Sequence, residues 1–462
     1  MKILLLVPNS KEVRVTIPLG LLYISAALRG KGFSDLKLVD ARQKKLGREE
    51  ISRHIKSFSP DVVGISGLSI EASEVHALAR LVKETGKECK VVIGGPYAFS
   101  SPESIIKDKN IDFVIIGEGE RTFLELLEAL ERRGEISGID GLAFKNQNGP
   151  VINFPSTMIE DLDSIAFPAW DLLDMKEYFN TKSHHSSDSV PMSNRIAPIF
   201  TSRGCPYDCI YCHHIFGKKI RFRSAQNVIK EIEFLIAKYG IEEIEVADDC
   251  FNLDLARAKQ ICDEIIKRGI RINLSFPTAL RADAVDEELI DKLKRAGAHM
   301  ICYAIESASL HIQQRIKKNL DLSKARHIVQ YTVKKGITTA GFFMLGFPGE
   351  TREEMLQTVK FALDTPFHLM HIFYVTPLPR TPLFDELVKN NVVLSKATIY
   401  HYHRLTFNAS SVPDVELKRI RKLAYIKFYF RPSQMWRLYK KVPNKRLLIR
   451  NAFEIIKRSC TA

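Results

Sequence analysis

Two stretches of this 462-residue chain alternate short Val/Ile/Leu-rich runs with amphipathic helical patterns, and that alternation leaves few architectures open. Strands that are apolar on both faces need cover on both faces. Interleaved helices supply it, which points to parallel sheets. In the first stretch strand-like runs fall at 2–8, 36–41, 61–67, 90–95 and 112–120, with helical patterns between them and the loop PYAFSSP plus a short helix after residue 95. Five such units predict a flavodoxin-like doubly wound domain over 1–145, whose ligands lie outside the carboxyl ends of the strands. Residues 146–195 read as a connector with little regular pattern, ending in a polar, mobile loop at 181–195. A second alternation over 196–390 places strands at 197–204, 241–248, 271–277, 298–307, 338–346 and 370–377. Six units predict a (β/α)6-type partial TIM barrel, with its chemistry on the loops after the strands. The fold class is α/β, and 391–462 form a helical C-terminal extension.

Hydrophobic residues make up 45% and charged residues 26%, enough for large cores and far from the composition of a disordered chain. No window approaches the roughly 20 apolar residues of a membrane span. The N-terminal apolar run is too short for a signal peptide and reads as a buried strand, so a cytoplasmic protein is expected. The net charge of +14 is unevenly placed. From Pro413 onward, fourteen Lys and Arg face only Asp414, Glu416 and Glu454, so the tail carries +11 of it. Two basic amphipathic patterns, 414–434 and 445–458, lie in that tail, with Leu417, Ile420, Leu423 and Phe430 at helical spacing in the first. Such helices fit a peripheral contact with an anionic membrane on its inner face, and equally a cap over the barrel with solvated charges. No nucleic-acid-binding module accompanies them, and no nucleic acid partner is expected.

Three of the eight cysteines, Cys205, Cys209 and Cys212, sit within eight residues after the first barrel strand. At this spacing three thiolates can each hold one iron of a [4Fe–4S] cube and leave the fourth iron open. The competing reading is a zinc site completed by His213 or His214. Zinc sites usually pair two separated Cys knuckles, and no second knuckle exists here. Glu306 ends a strand on one face with Cys302 and Ala304. A buried glutamate needs a partner, either a ligand group or a structural Arg or Lys.

The Cys-x3-Cys-x2-Cys motif with Tyr211 before its last cysteine resembles the radical S-adenosylmethionine (SAM) superfamily. ADDCFN (247–252), IESAS (305–309), GFFMLGFPGET (341–351) and VTPLPRTPLFDEL (375–387) resemble further stretches of that core. In that superfamily the open iron binds SAM, whose reductive cleavage yields a radical that abstracts hydrogen. The resemblance implies a [4Fe–4S] cluster on Cys205, Cys209 and Cys212, which are also its catalytic residues. It implies SAM contacts from Tyr211, Asp248, Glu306, Ser307, Gly346 and Pro348, and an electron donor such as flavodoxin or ferredoxin. Two positions depart from the pattern: Ala308 and Arg380 stand where glycine is usual. Cys302 reads as a small buried residue, and Cys250, beside the acidic pair, has a thiyl or methyl-carrier role as a rare reading.

The N-terminal domain is similar to that of the cobalamin-binding radical SAM class. The resemblance lies in IPLGLLYISAAL (17–28), VVIGGPYAFSSPESI (91–105), DFVIIGEGERTFLELL (112–127) and DLDSIAFPAWDLLD (161–174). It implies cobalamin contacts from Leu19, Gly20, Ser66, Gly67, Gly94, Gly95, Gly117, Glu118 and Gly119. Glycines at strand ends let backbone approach a large flat ligand, or simply make tight turns. The D-x-H-x-x-G motif of domains that ligate cobalt by histidine is absent: Asp40-Ala-Arg42-Gln-Lys-Lys stands there. Tyr97 replaces the usual His of GGxH. A domain that has lost cobalamin is the alternative.

The expectation is a cobalamin-dependent radical SAM C-methyltransferase acting on an unactivated carbon of an apolar or amphiphilic, lipid- or isoprenoid-like small molecule. An oxidative cyclase resembling the anaerobic magnesium-protoporphyrin ester cyclase shares the domain order. A cobalamin-free radical coupling enzyme and a non-enzymatic cobalamin sensor or carrier are the remaining alternatives.

Overall fold

The computed structural model describes residues 1–441 apart from 12, 87, 182–189, 391 and 393–402. The chain divides into two units: Met1–Ser186 with His213–Arg223, and Ser187–Cys212 with Ser224–Ala462.

The first unit is built on strands β1 (Ile3–Val7), β2 (Leu36–Asp40), β3 (Val62–Ser66), β4 (Lys90–Gly94), β5 (Phe113–Ile115), β6 (Leu142–Asn146) and β7 (Gly149–Ile152), in the order β2-β1-β3-β4-β5-β6-β7. The first five are parallel, the flavodoxin-like order. Period-two alternation explains the continuous apolar runs. Leu4, Leu6, Val63, Ile65, Val91 and Ile93 face one core, and Ile3, Leu5, Val7, Val62 and Val92 face the other.

Two expectations need correction. The segment read as patternless from residue 146 begins inside a hairpin, for β6 and β7 add two antiparallel strands to the sheet. Its turn, Asn146–Gly149, is so polar that it masks short flanking strands. The PYAFSSP segment is a helix from Pro96 to Ser100, because Pro at the first helical position has no amide proton to leave unsatisfied. Of the 181–195 loop, residues 182–189 lie outside the described residues.

Among the described residues the second unit carries a sheet of six parallel strands in sequential order: β8 (Ile196–Ile199), β9 (Glu243–Val246), β10 (Asn273–Leu280), β11 (Ala298–Glu306), β12 (Thr338–Leu345) and β13 (Leu369–Tyr374). β8 and β13 are not paired with each other, so the barrel is partial. Tyr303 points toward the outer helices, its hydroxyl on Thr332 of the helix Leu322–Lys334. Its neighbours Cys302 and Ala304 therefore face the interior.

The basic pattern at 414–434 forms two helices, Asp414–Tyr429 and Pro432–Lys441, because Pro432 disfavours helical backbone at Arg431. The first packs against β13. Leu417 and Ile420 are buried, whereas Leu423 and Phe430 are exposed. The pattern at 445–458 lies outside the described residues.

Candidate active site

The loop after β8 carries the three cysteines. The Cys209 and Cys212 thiols share a hydrogen bond, and Cys205 shares one with Cys250. That first bond, with help from the Lys318 ammonium and the Tyr211 hydroxyl, brings the Cys209 thiol down to about 6 against the opposing effects of burial and Glu306. The same bond, and then burial, push Cys212 up. Iron is held by thiolate, so a cation and hydrogen-bond donors gathered on these sulfurs suit an iron–sulfur cluster. Among the described residues no three His, Cys, Asp or Glu side chains converge to hold a single ion. Tyr211 also rests 5.8 Å from the Phe347 ring, between centroids.

The two carboxylates proposed for SAM sit in different environments. Asp248, 1% exposed, accepts bonds from Thr201 N, Thr201 Oγ1 and Ser202 Oγ, which ties the end of β9 to the start of the cysteine loop. Burial still holds its carboxyl above the usual range, with Arg257 opposing. Glu306 ends β11 at a register shift, with φ +66, a left-handed backbone that non-glycine residues seldom adopt. Its Oε1 lies 3.3 Å from Lys318 Nζ. The partner left open by the sequence is thus a structural lysine. Lys318 was missed because nothing marks it within Ile316-Lys-Lys-Asn; only the fold singles it out, at a turn where Lys317 and Asn319 both have positive φ.

Ser307 is fully buried, its hydroxyl bonded to Thr358 and to Ser309 N. Gln313 Nε2 donates to the carbonyls of Ile305 and Ser307 and so fixes this strand end. Gly346, φ +101, and Phe347 donate their amides to Glu350 Oε2 at 2.8 and 3.1 Å; Pro348 follows, buried. Glu350 was missed as a site residue although it lies within the GFPGET stretch. Burial raises its carboxyl to about 8 against those two amides, and among the described residues its Oε1 has no protein partner. Arg380, exposed, has φ +64, which accounts for the glycine usual at that place.

In the first unit Ser66, Gly67, Gly94, Gly95, Gly117, Glu118 and Gly119 all fall at the carboxyl ends of β3, β4 and β5, and Leu19 and Gly20 open the helix after β1. These glycines differ in kind. A Cβ on Gly67 would meet Val75 at 2.5 Å, and one on Gly119 would meet Ile24 at 2.8 Å. Gly95 has φ +85 and Gly117 φ +86, so both serve turns, and Gly95 is packed against Ser66 as well. Among the described residues nothing lies within 4 Å of a Cβ built on Gly20 or Gly94, so packing does not require the missing side chain. Such a cradle at the strand ends fits a bulky ligand. Glu118 is bound within the unit: both its oxygens take Arg221 Nη1, and one accepts Ile159 N. Arg42, at the place of the motif histidine, is buried and paired with Glu71. Tyr97, also buried, bonds His76 Nε2, whose Nδ1 meets Asp108 at 2.6 Å.

The barrel interior has two characters. Strand register aligns Glu245, Ser275 and Met300, then Cys302 with Ala340 and Leu369, and Ala304 with Phe342 and His371. The β9–β10 side is polar. There Glu243 bonds His299 Nε2 and the amides of Met192 and Ser193. The β11–β13 side is apolar, with Phe342 edge-on to His371 and Phe373, which stack on each other.

The model of the B12 binding domain matches residues 11–127, and that of the radical SAM superfamily matches 199–362. The two together define an enzyme of the radical SAM superfamily that carries a cobalamin-binding domain. The chain is 34% identical to an uncharacterized methyltransferase of Pyrococcus horikoshii over 94% of its own length and 93% of the relative's. It is 31% identical to the cytidylyl-2-hydroxyethylphosphonate methyltransferase of Streptomyces wedmorensis over 88% and 84%. The solved structure of the radical SAM methyltransferase TsrM from Kitasatospora setae, with cobalamin and a [4Fe–4S] cluster bound, shares the fold. Its TM-score is 0.70 at 20% identity, over 86% of this chain and 76% of that one. The chain belongs to the cobalamin-dependent radical SAM methyltransferases, and its cofactors are a [4Fe–4S] cluster, SAM and cobalamin.

Proposed function

We propose that the enzyme methylates an unactivated carbon of an apolar or amphiphilic small molecule. The observation that carries this reading is the divided barrel wall: Ala304, Phe342, Leu369 and Phe373 are half-buried over the packed Met300, Cys302 and Ala340 and form an apolar surface, while the strands on the other side carry Glu243, Glu245 and Ser275. An amphiphile satisfies both, because an apolar body gains by leaving water and a polar head keeps its hydrogen bonds.

Cys205, Cys209 and Cys212 hold the cluster in this reading. Glu306, fixed by Lys318, and the backbone around Gly346 receive SAM, and the strand ends at Gly94 receive cobalamin. When bound, these groups supply one-electron reduction and methyl-transfer chemistry. The protein positions and desolvates the reactants. A flavodoxin or ferredoxin supplies electrons.

Among the described residues no helix is long and apolar enough to cross a membrane. The exposed face of the C-terminal helices, with Leu423, Ile426, Phe430, Met435 and Trp436 among lysines and arginines, supports a peripheral contact with an anionic membrane.

The test is anaerobic incubation of the reconstituted enzyme with reductant, methyl-deuterated SAM and isoprenoid or hopanoid lipid fractions, read by mass spectrometry. A product carrying the labelled methyl group is expected. Loss of hydrogen without methyl gain would favour the oxidative cyclase, and turnover confined to fully water-soluble substrates would overturn the amphiphile assignment.

A further inference from the structure

Three consecutive residues after β9 are stitched to the cysteine loop in register. Asp248 accepts from Thr201 and Ser202, Asp249 Oδ2 accepts from Gly204 N at 3.3 Å, and Cys250 is hydrogen-bonded to Cys205. Each step along one segment meets the next step along the other. Cys250 is therefore aimed by its two neighbours rather than placed by generic packing. It is 3% exposed, and the ring of Tyr207, on the same loop, is covered by Arg281 at 4.0 Å. A sulfur that holds iron is a thiolate and can only accept, so within this pair the donor is the Cys250 thiol.

We infer that Cys250 is a positioning residue of the iron–sulfur site, whose thiol donates a hydrogen bond to the Cys205 sulfur while that sulfur holds iron, and so raises the cluster's reduction potential. A one-electron reduction places added negative charge on the cluster and its thiolates. A donor aimed at a ligand sulfur stabilises the reduced form more than the oxidised form. The inference rests on Cys205, Cys209 and Cys212 as the iron ligands. It adds a fourth cysteine that acts through one of them without touching iron.

The experiment is a dithionite titration of the reconstituted enzyme with mediator dyes, followed by electron paramagnetic resonance of the reduced cluster without SAM. Cys250→Ala is expected to keep the iron content of the unsubstituted enzyme and to shift the midpoint potential to a more negative value. Cys250→Ser, which restores a donor, should return it toward the original. If the alanine cavity prevents folding, Cys250→Val keeps an apolar side chain without a donor and should shift the potential in the same direction. An unchanged midpoint in the Ala or Val variant overturns the inference. So does a loss of iron with an altered spectrum, which would make Cys250 a ligand. The ligand assignment is checked apart from this: if Cys209→Ala retains a full cluster, that assignment fails, whatever Cys250 does.

Discussion

Glu306 and Lys318 face each other with side chains only 11% and 8% exposed, so neither charge has water to fall back on. Removing one partner of such a pair strands the other, at a cost of about 3–5 kcal/mol. Lys318→Met should therefore lower the stability of the cofactor-free protein by that order. The double variant with Glu306→Gln should recover a large part of the loss in chemical denaturation. Recovery is the informative result, because it separates a stranded charge from the lost contacts of the lysine stem. Glu350 gives the residue scale a pH signature. Burial raises its carboxyl to about 8 from an ordinary 4.5, so the folded protein holds a proton that the unfolded chain releases. Its contribution to stability is fully present below about pH 4.5 and is lost as pH rises toward 8. Melting curves at pH 5.5 and 8 should show a smaller difference in Glu350→Gln than in the unsubstituted protein.

The helix Asp414–Tyr429 treats β13 as a neighbouring strand would. Tyr429 Oη accepts from Met370 N and donates to Met370 O, Tyr425 Oη accepts from Ile372 N, and Arg421 Nε donates to Ile372 O. The geometry matches because four helical residues rise about 6 Å, close to two residues of strand. An edge that would otherwise offer free backbone groups is closed by side chains. Tyr425→Phe and Tyr429→Phe should each cost about 1–3 kcal/mol, since each leaves a buried amide without an acceptor. Hydrogen exchange at Met370 and Ile372 should quicken correspondingly. This arrangement also shows where sequence reading stops. Arg421 looks like one more surface charge in a basic helix, yet it is 1% exposed and lies over the Tyr374 ring. The strands β1 to β5 were legible because burial on both faces writes itself as unbroken apolar runs. The hairpin β6–β7 was not, because it is short, lies at the sheet's end and turns through polar residues. The three cysteines were legible as a cluster in their spacing, and the sequence pattern also placed them after the first barrel strand, where the fold has them. Lys318 and Cys250 were not legible as their partners, since only the fold brings residues 318 and 250 beside 205–212.

At the scale of the whole molecule, each unit has its own sheet and its own core, so each should load its cofactor without the other. The glycines of the first unit allow this to be tested without damaging the fold. A side chain at Gly67 would collide with Val75, and its loss would say only that the domain had been disturbed. Gly94 is different: it ends β4 outside the left-handed region, and among the described residues an added Cβ meets nothing within 4 Å. A bulky residue there fills ligand space while the protein keeps its contacts. Gly94→Leu should melt within a few degrees of the unsubstituted protein, retain its iron and lose most of its cobalamin after desalting. Cys209→Ala should do the reverse, keeping cobalamin and losing the cluster. Cobalt and iron measured on the same samples read both outcomes together. If Gly94→Leu binds cobalamin undiminished, the corrin ring does not rest on the end of β4, and the assignment of that edge would fail even though the family membership stands.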